Sequence, residues 1–126
     1  MLFSRVESKQ LEGDLWVVAL HGEHDLSTSP SLDDTLNYIE RTSGTTIVID
    51  LTPVEFIDST VLRAIVRYHA AGEQIELVAP PETFPRRLLR LLCIDERIPL
   101  HDTRDDALCA VRAARMRPAR QPAALD

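Results

Sequence analysis

A single α/β domain with helices packed on a mostly parallel sheet is the fold this chain predicts, and three observations carry the prediction. Apolar runs rich in Val and Ile recur at LWVVAL (15–20), TTIVIDL (45–51) and IELVA (75–79). The second of these is apolar on both faces, the mark of a strand covered from both sides, as in parallel sheets. Between the runs lie segments of helical period, the crossovers that parallel strands require. At 126 residues the chain suits one domain of ordinary size, and its 44% apolar content is enough to build a core.

Each element has a local reason. Residues 2–8 form a weak first strand, and Gly13-Asp14 turns the chain into LWVVAL, so the two strands make an amino-terminal hairpin. Ser29 reads as a helix cap with Pro30 at the first helical position, where a missing N–H costs nothing. Leu32, Leu36 and Ile39 share one face of that helix, and Gly44 is placed to end it. After TTIVIDL a loop leads to a helix over residues 59–71, with Val61, Leu62, Ile65 and Val66 inward and Gly72 at its end. IELVA is the next strand. A helix over 84–93 follows, with Leu88, Leu89 and Leu92 as its apolar face. A short strand near 98–100 precedes a last helix opened by Thr103, with Asp106 as its capping-box partner and Ala107, Leu108 and Val111 facing the core. The order is ββαβαβαβα: four to five strands and about four helices.

Charge and composition exclude several classes. Fourteen Lys+Arg against twenty Asp+Glu leave a net charge of −6, which argues against a general binder of the phosphate backbone. No apolar run approaches the roughly 18 residues of a membrane span, and MLFSRVESKQ lacks the apolar stretch of a secretory signal. A cytoplasmic protein is the expectation. Residues 112–126 hold four Arg and one Asp, so that stretch is +3 while residues 1–111 are −9. The domain is read as 1–113, and 114–126 as an Arg/Pro/Ala-rich, disordered tail. Cys93 and Cys109 stand apart with no CxxC pattern and read as buried or partly buried reduced thiols. His21 and His24 are too few for a zinc site and read as solvent-facing or hydrogen-bonded loop residues.

The most informative stretch is Thr52-Pro53-Val54-Glu55-Phe56-Ile57-Asp58-Ser59-Thr60. Pro53 stops the strand ladder, and Phe56 and Ile57 are expected to tuck under the sheet edge. Asp58 is a good cap for the helix that follows. Ser59 and Thr60 then fall in its first turn, outside the carboxyl ends of the strands, where open α/β sheets place their sites. Free N–H groups and the positive helix end tolerate an added anion there. Asp58 next door opposes a dianion, so a phosphate on this turn would change the surface potential sharply.

The segment IVIDLTPVEFIDSTVLRAI, together with HGEHDLSTSP, resembles the STAS domain of anti-sigma-factor antagonists over residues 3–113. The family's phosphorylated serine falls on Ser59 and the aspartate before it on Asp58; Thr60 is the alternative acceptor. The aspartate of its strand–helix loop falls on Asp25, with Glu23 and Ser27 as weaker neighbours. The family often has glycine where this chain has Val61, whose spacing with Ile65 fits a core position. The resemblance implies a partner: an anti-sigma factor with a histidine-kinase-like ATPase fold, which phosphorylates the serine with its own ATP and Mg²⁺ and then lets go. A serine phosphatase would reset the cycle. On that reading Asp25, Asp58, Ser59 and Thr60 form the partner surface. On the same reading the chain is expected to be no enzyme, to hold no cofactor or metal of its own, and to touch neither nucleic acid nor membrane.

Other readings fit less well. A phosphoaspartate receiver would use Asp50, but it needs an acidic pair after the first strand and a lysine on a later one; the single lysine is Lys9. Asp50 reads instead as a strand-end acceptor. A hydrolase would need a Gly-x-Ser-x-Gly elbow, and Ser59 lies in Ile-Asp-Ser-Thr-Val. The remaining alternative is a STAS module that is never phosphorylated, serving as a scaffold or a small-ligand sensor in a larger assembly.

Overall fold

In a computed structural model, residues 3–42 and 46–116 are described, and they form one mixed α/β layer structure. Strand β1 (Ser4–Gln10) pairs antiparallel with β2 (Leu15–His24), giving the expected hairpin. Helix α1 (Ser29–Thr42) leads to β3 (Thr46–Asp50), then β4 (Val54–Ile57) and α2 (Ser59–Ala70). Strand β5 (Gln74–Val78), α3 (Phe84–Leu91), a 3-10 turn at Ile94–Glu96, β6 (Leu100–His101) and α4 (Arg104–Met116) complete the chain. The sheet runs β1-β2-β3-β5-β6, with every pair after the hairpin parallel.

Alternation along the strands divides the core. Trp16, Val18 and Leu20 of β2 and Ile47 and Ile49 of β3 point to one face, where Leu32, Leu36 and Ile39 of α1, Val61, Leu62 and Ile65 of α2 and Leu89 of α3 cover them. Leu15, Val17 and Val48 point to the other, under Ala107, Leu108 and Val111 of α4. Three helices thus seal one face and a single helix the other. The cap read at Thr103 is formed, accepting from the Asp106 N–H at 3.0 Å, and α3 has a cap that the sequence reading did not name, Thr83, which accepts from the Arg86 N–H with Pro85 in the first turn.

Several expectations are corrected. The sheet has six strands, because Val54–Ile57, read as loop, pairs parallel with the far end of β2. That end reaches His24, so His21 and His24 lie on a strand rather than in a loop; His24 is buried. Phe56 does not tuck under the sheet. It is 44% exposed, while Ile57 is buried. Cys93 and Cys109 are free thiols, as expected, but both are exposed. Cys93 ends α3 in a left-handed conformation with φ 59°, and Cys109 follows the inward Ala107 and Leu108 on the outer side of α4. Helix α1 includes Ser29 itself, one residue earlier than the cap reading placed its start. Gly44 and residues 117–126 lie outside the described residues, and with them its helix-ending role and most of the tail reading; α4 runs to Met116.

Candidate functional site

The far end of β2 is where the site is built. Its backbone shifts register between Gly22 and Glu23, and three segments converge there. Gly22 donates its N–H to the carbonyl of Pro53 at 3.1 Å, and Glu23 donates to the carbonyl of Phe3 at 2.7 Å. Gly22 has φ +84°, and a Cβ on it would lie 2.1 Å from the Phe3 carbonyl oxygen, so only glycine fits this crossing. The result is that β4 runs alongside β2 with Ile57 opposite His24, and the Asp58 N–H donates to the His24 carbonyl at 3.1 Å. Asp25 and Asp58 therefore leave adjacent strands side by side.

Each aspartate then organises its own chain. Asp58 has extended backbone (φ −98°, ψ 167°), and its Oδ1 accepts from the Val61 N–H at 3.2 Å, the N-cap of α2. Ser59 and Thr60 fall in the first helical turn, Ser59 half-buried and Thr60 exposed. Val61 is fully buried, so its branched side chain fills the core and adds no bulk to the surface of the turn. Asp25 folds a tight turn instead. Its Oδ1 accepts from the Ser27 N–H at 2.9 Å and the Ser27 hydroxyl at 2.6 Å, and the Asp25 N–H donates to Thr28 Oγ1 at 2.9 Å. The bond from the Ser27 hydroxyl, with further help from the turn's N–H groups, holds the Asp25 carboxyl below its ordinary range.

Beneath this rim His24 donates from Nε2 to the carbonyl of His21 at 2.9 Å, while its buried Nδ1 has no hydrogen-bond partner. Burial pushes its imidazole below the usual histidine range, because the charged form is poorly solvated there, and backbone carbonyl contacts offset this only in part. His21 Nε2 lies 2.9 Å from Glu7 Oε1 on the hairpin. Among the described residues no group of three His, Cys, Asp or Glu could hold a metal ion.

The structure thus brings Asp25, Asp58, Ser59 and Thr60 to one rim. Glu23 stands opposite Phe56 in the β2–β4 register, and Ser27 serves Asp25. The sequence reading missed the apolar surface around them. Phe56 stacks on Phe84 of α3 with ring centroids 5.6 Å apart and planes 15° from parallel, and both are exposed. Leu26, next to Asp25, is 67% exposed. An isolated leucine inside the polar stretch HDLSTSP was the available signal for it. A polar center rimmed by aromatic and aliphatic surface is a composition suited to protein contact.

Comparison with known proteins agrees with this architecture. The model of the STAS domain matches residues 5–107. The anti-sigma-F factor antagonist RsfB of Mycobacterium tuberculosis, strain H37Rv, is 30% identical over 102 residues, covering 79% of this chain and 84% of RsfB. The crystal structure of an anti-sigma factor antagonist from Mycobacterium paratuberculosis superposes with a TM-score of 0.75 at 32% identity, over 89% of this chain and 95% of that one. The antagonist SpoIIAA in its unphosphorylated form gives 0.68 at 18% identity, over 86% and 97% of the two chains, and here the likeness is one of fold. The chain belongs to the STAS-domain family of anti-sigma-factor antagonists. The relatives it matches bear the names of regulators rather than catalysts. Among the described residues no helix is long and apolar enough to cross a membrane.

Proposed function

We propose that the chain binds an anti-sigma factor through the rim carrying Asp25, Asp58, Ser59 and Thr60, and that phosphorylation of Ser59 ends the contact. The observation that carries this reading is the placement of Ser59: a half-buried hydroxyl in the first turn of α2, directly after the capping carboxylate of Asp58 and beside the end of β2. A relative named as an anti-sigma-F factor antagonist supports the partner class. SpoIIAA, described in both unphosphorylated and phosphorylated forms, supports the switch by analogy of fold.

The partner supplies the chemistry. Its ATP, held with Mg²⁺ on a histidine-kinase-like ATPase fold, transfers the γ-phosphoryl group to Ser59 Oγ; the hydroxyl proton is lost and ADP leaves. The product adds a charge of about −1.5 to −2 beside Asp58. The free N–H groups of α2 make that charge tolerable to the fold, while the partner surface meets a dianion where it met a hydroxyl. The antagonist itself performs no catalysis and holds no cofactor, acts in the cytoplasm, and is reset by a serine phosphatase.

Incubation with the cognate anti-sigma factor and Mg-ATP, read by intact mass and peptide mapping, tests the reading. Wild type should gain one phosphate on Ser59 and lose affinity, while Ser59→Ala stays unmodified and keeps binding. Labelling of Ser59→Ala to the same stoichiometry would move the acceptor to Thr60 or elsewhere. Equal binding by the phosphorylated and unmodified forms would instead describe a constitutive scaffold.

A further inference from the structure

One helical turn beyond Ser59 along α2, a cleft of about 560 Å³ opens between the outer side of α2 and the junction of α3 with the 3-10 turn. Its volume falls within the roughly 300–1,000 Å³ of small-molecule sites. Val66 and Leu92 give it apolar walls, both half-buried and packed on the core. Arg63 and Arg67, one helical turn apart on α2, stand along one side, and Arg97 on the other.

These arginines differ from others in the molecule. Arg86, Arg104, Arg112 and Arg115 each hold a carboxylate, on Asp102, Asp50, Glu12 and Asp14. Arg63, Arg67 and Arg97 form no ion pair among the described residues, although the chain as a whole is acidic. Three arginines against one carboxylate, Glu96, leave the lining positive. Guanidinium groups grip carboxylates, sulfonates and phosphates through paired N–H bonds.

We propose that this cleft is a binding site for a small organic anion with an apolar body. The charged group is held among Arg63, Arg67 and Arg97, and the apolar body lies on Val66 and Leu92. The site uses none of the four rim residues, although Arg63 stands one helical turn from Ser59.

Fluorescence titration of the full chain with 8-anilino-1-naphthalenesulfonate tests it, because that probe joins an anion to an apolar aromatic body. Saturable binding of one probe per chain is expected. Arg63→Glu, Arg67→Glu and Arg97→Glu should each weaken it about tenfold, the size of one lost charge-assisted hydrogen bond. Arg41→Glu, on α1, should leave it unchanged, and thermal melts of all four variants check that each is folded. N-phenyl-1-naphthylamine, the same body without the sulfonate, should bind about tenfold more weakly. Displacement of the probe by octanoate assigns a carboxylate ligand, and displacement by octyl phosphate a phosphate ester. Binding that fails to saturate, or that the three cleft substitutions leave within twofold, overturns the proposal. So does a dimer in sedimentation velocity that Arg63→Glu dissociates, since a second copy would then fill the cleft.

Discussion

The carboxyl end of β3 and the neighbouring ends of β2 and β4 carry the same residue type, an aspartate closing an apolar strand, in opposite circumstances. Asp50 on β3 is 4% exposed, and both its oxygens are engaged, Oδ1 by the Thr52 N–H and Oδ2 by Arg104 Nε, each at 2.9 Å. Asp25 and Asp58 are half-exposed and organise only their own turns. The reason lies above the sheet. Helix α4 begins over Asp50 and brings Arg104 to it, whereas α1 and α2 follow the β2 and β4 ends, and among the described residues neither Asp25 nor Asp58 forms an ion pair. An aspartate at a strand end is thus a brace or a contact residue according to which helix starts there.

Perturbing the frame on which the open end hangs should have the largest effect. Gly22→Ala forces a side chain against the Phe3 carbonyl at positive φ and should cost about 3 kcal/mol in urea unfolding. A loss confined to a few tenths would mean that the β1–β2–β4 crossing is not what holds the rim. Asp50→Ala should come next, at about 2 kcal/mol, because the Thr52 N–H and Arg104 lose a nearly buried acceptor. Arg104 is 44% exposed and can turn to water, which keeps the figure moderate. Asp58→Ala should cost about 1 kcal/mol, the value of an N-cap. If it matched Asp50→Ala, the contrast between closed and open strand ends would fail.

Two smaller effects are read by pH. The His24 imidazole titrates below its ordinary range in the folded chain, so the unfolded chain takes up a proton first as pH falls. Stability should therefore decline from about pH 7 toward pH 5, and His24→Gln, which keeps a donor toward the His21 carbonyl, should flatten that decline in a melting series. The Asp25 carboxyl is held low chiefly by Ser27. Its contribution is present above the ordinary aspartate range and lost as pH falls through the depressed value. Ser27→Ala should raise the Asp25 midpoint in a carboxyl NMR titration; an unmoved midpoint would remove the turn as the cause.

Much of the fold was legible because its signals are long or chemically distinct. LWVVAL, TIVID and IELV are continuous apolar runs that only a covered sheet explains, and Asp58 and Thr103 announce helix starts through their own hydrogen bonds. What escaped is set by distant segments. The four residues of β4 carry no strand pattern beyond Val54 and Ile57, and they are ordered by pairing with β2, some thirty residues earlier. The extension of β2 through His24 has the same origin, since Phe3 and Pro53 complete its hydrogen bonds. Ser59, Asp58 and Asp25 were singled out from motif and capping chemistry, and of these readings the structure shows the cap at Asp58. Phe56 and Phe84 were not recognised as surface, because their stacking depends on how α3 meets β4.

The sheet's two flanks limit how anything can approach it. On one side β1 reads Ser-Arg-Val-Glu-Ser-Lys-Gln, a border of alternating charge with six of its seven residues exposed; on the other β6 offers two residues. Charged or very short borders discourage another chain from adding a strand. Visitors are thereby steered toward the loops at the top of the sheet, and edge-to-edge pairing of copies through β1 or β6 is disfavoured.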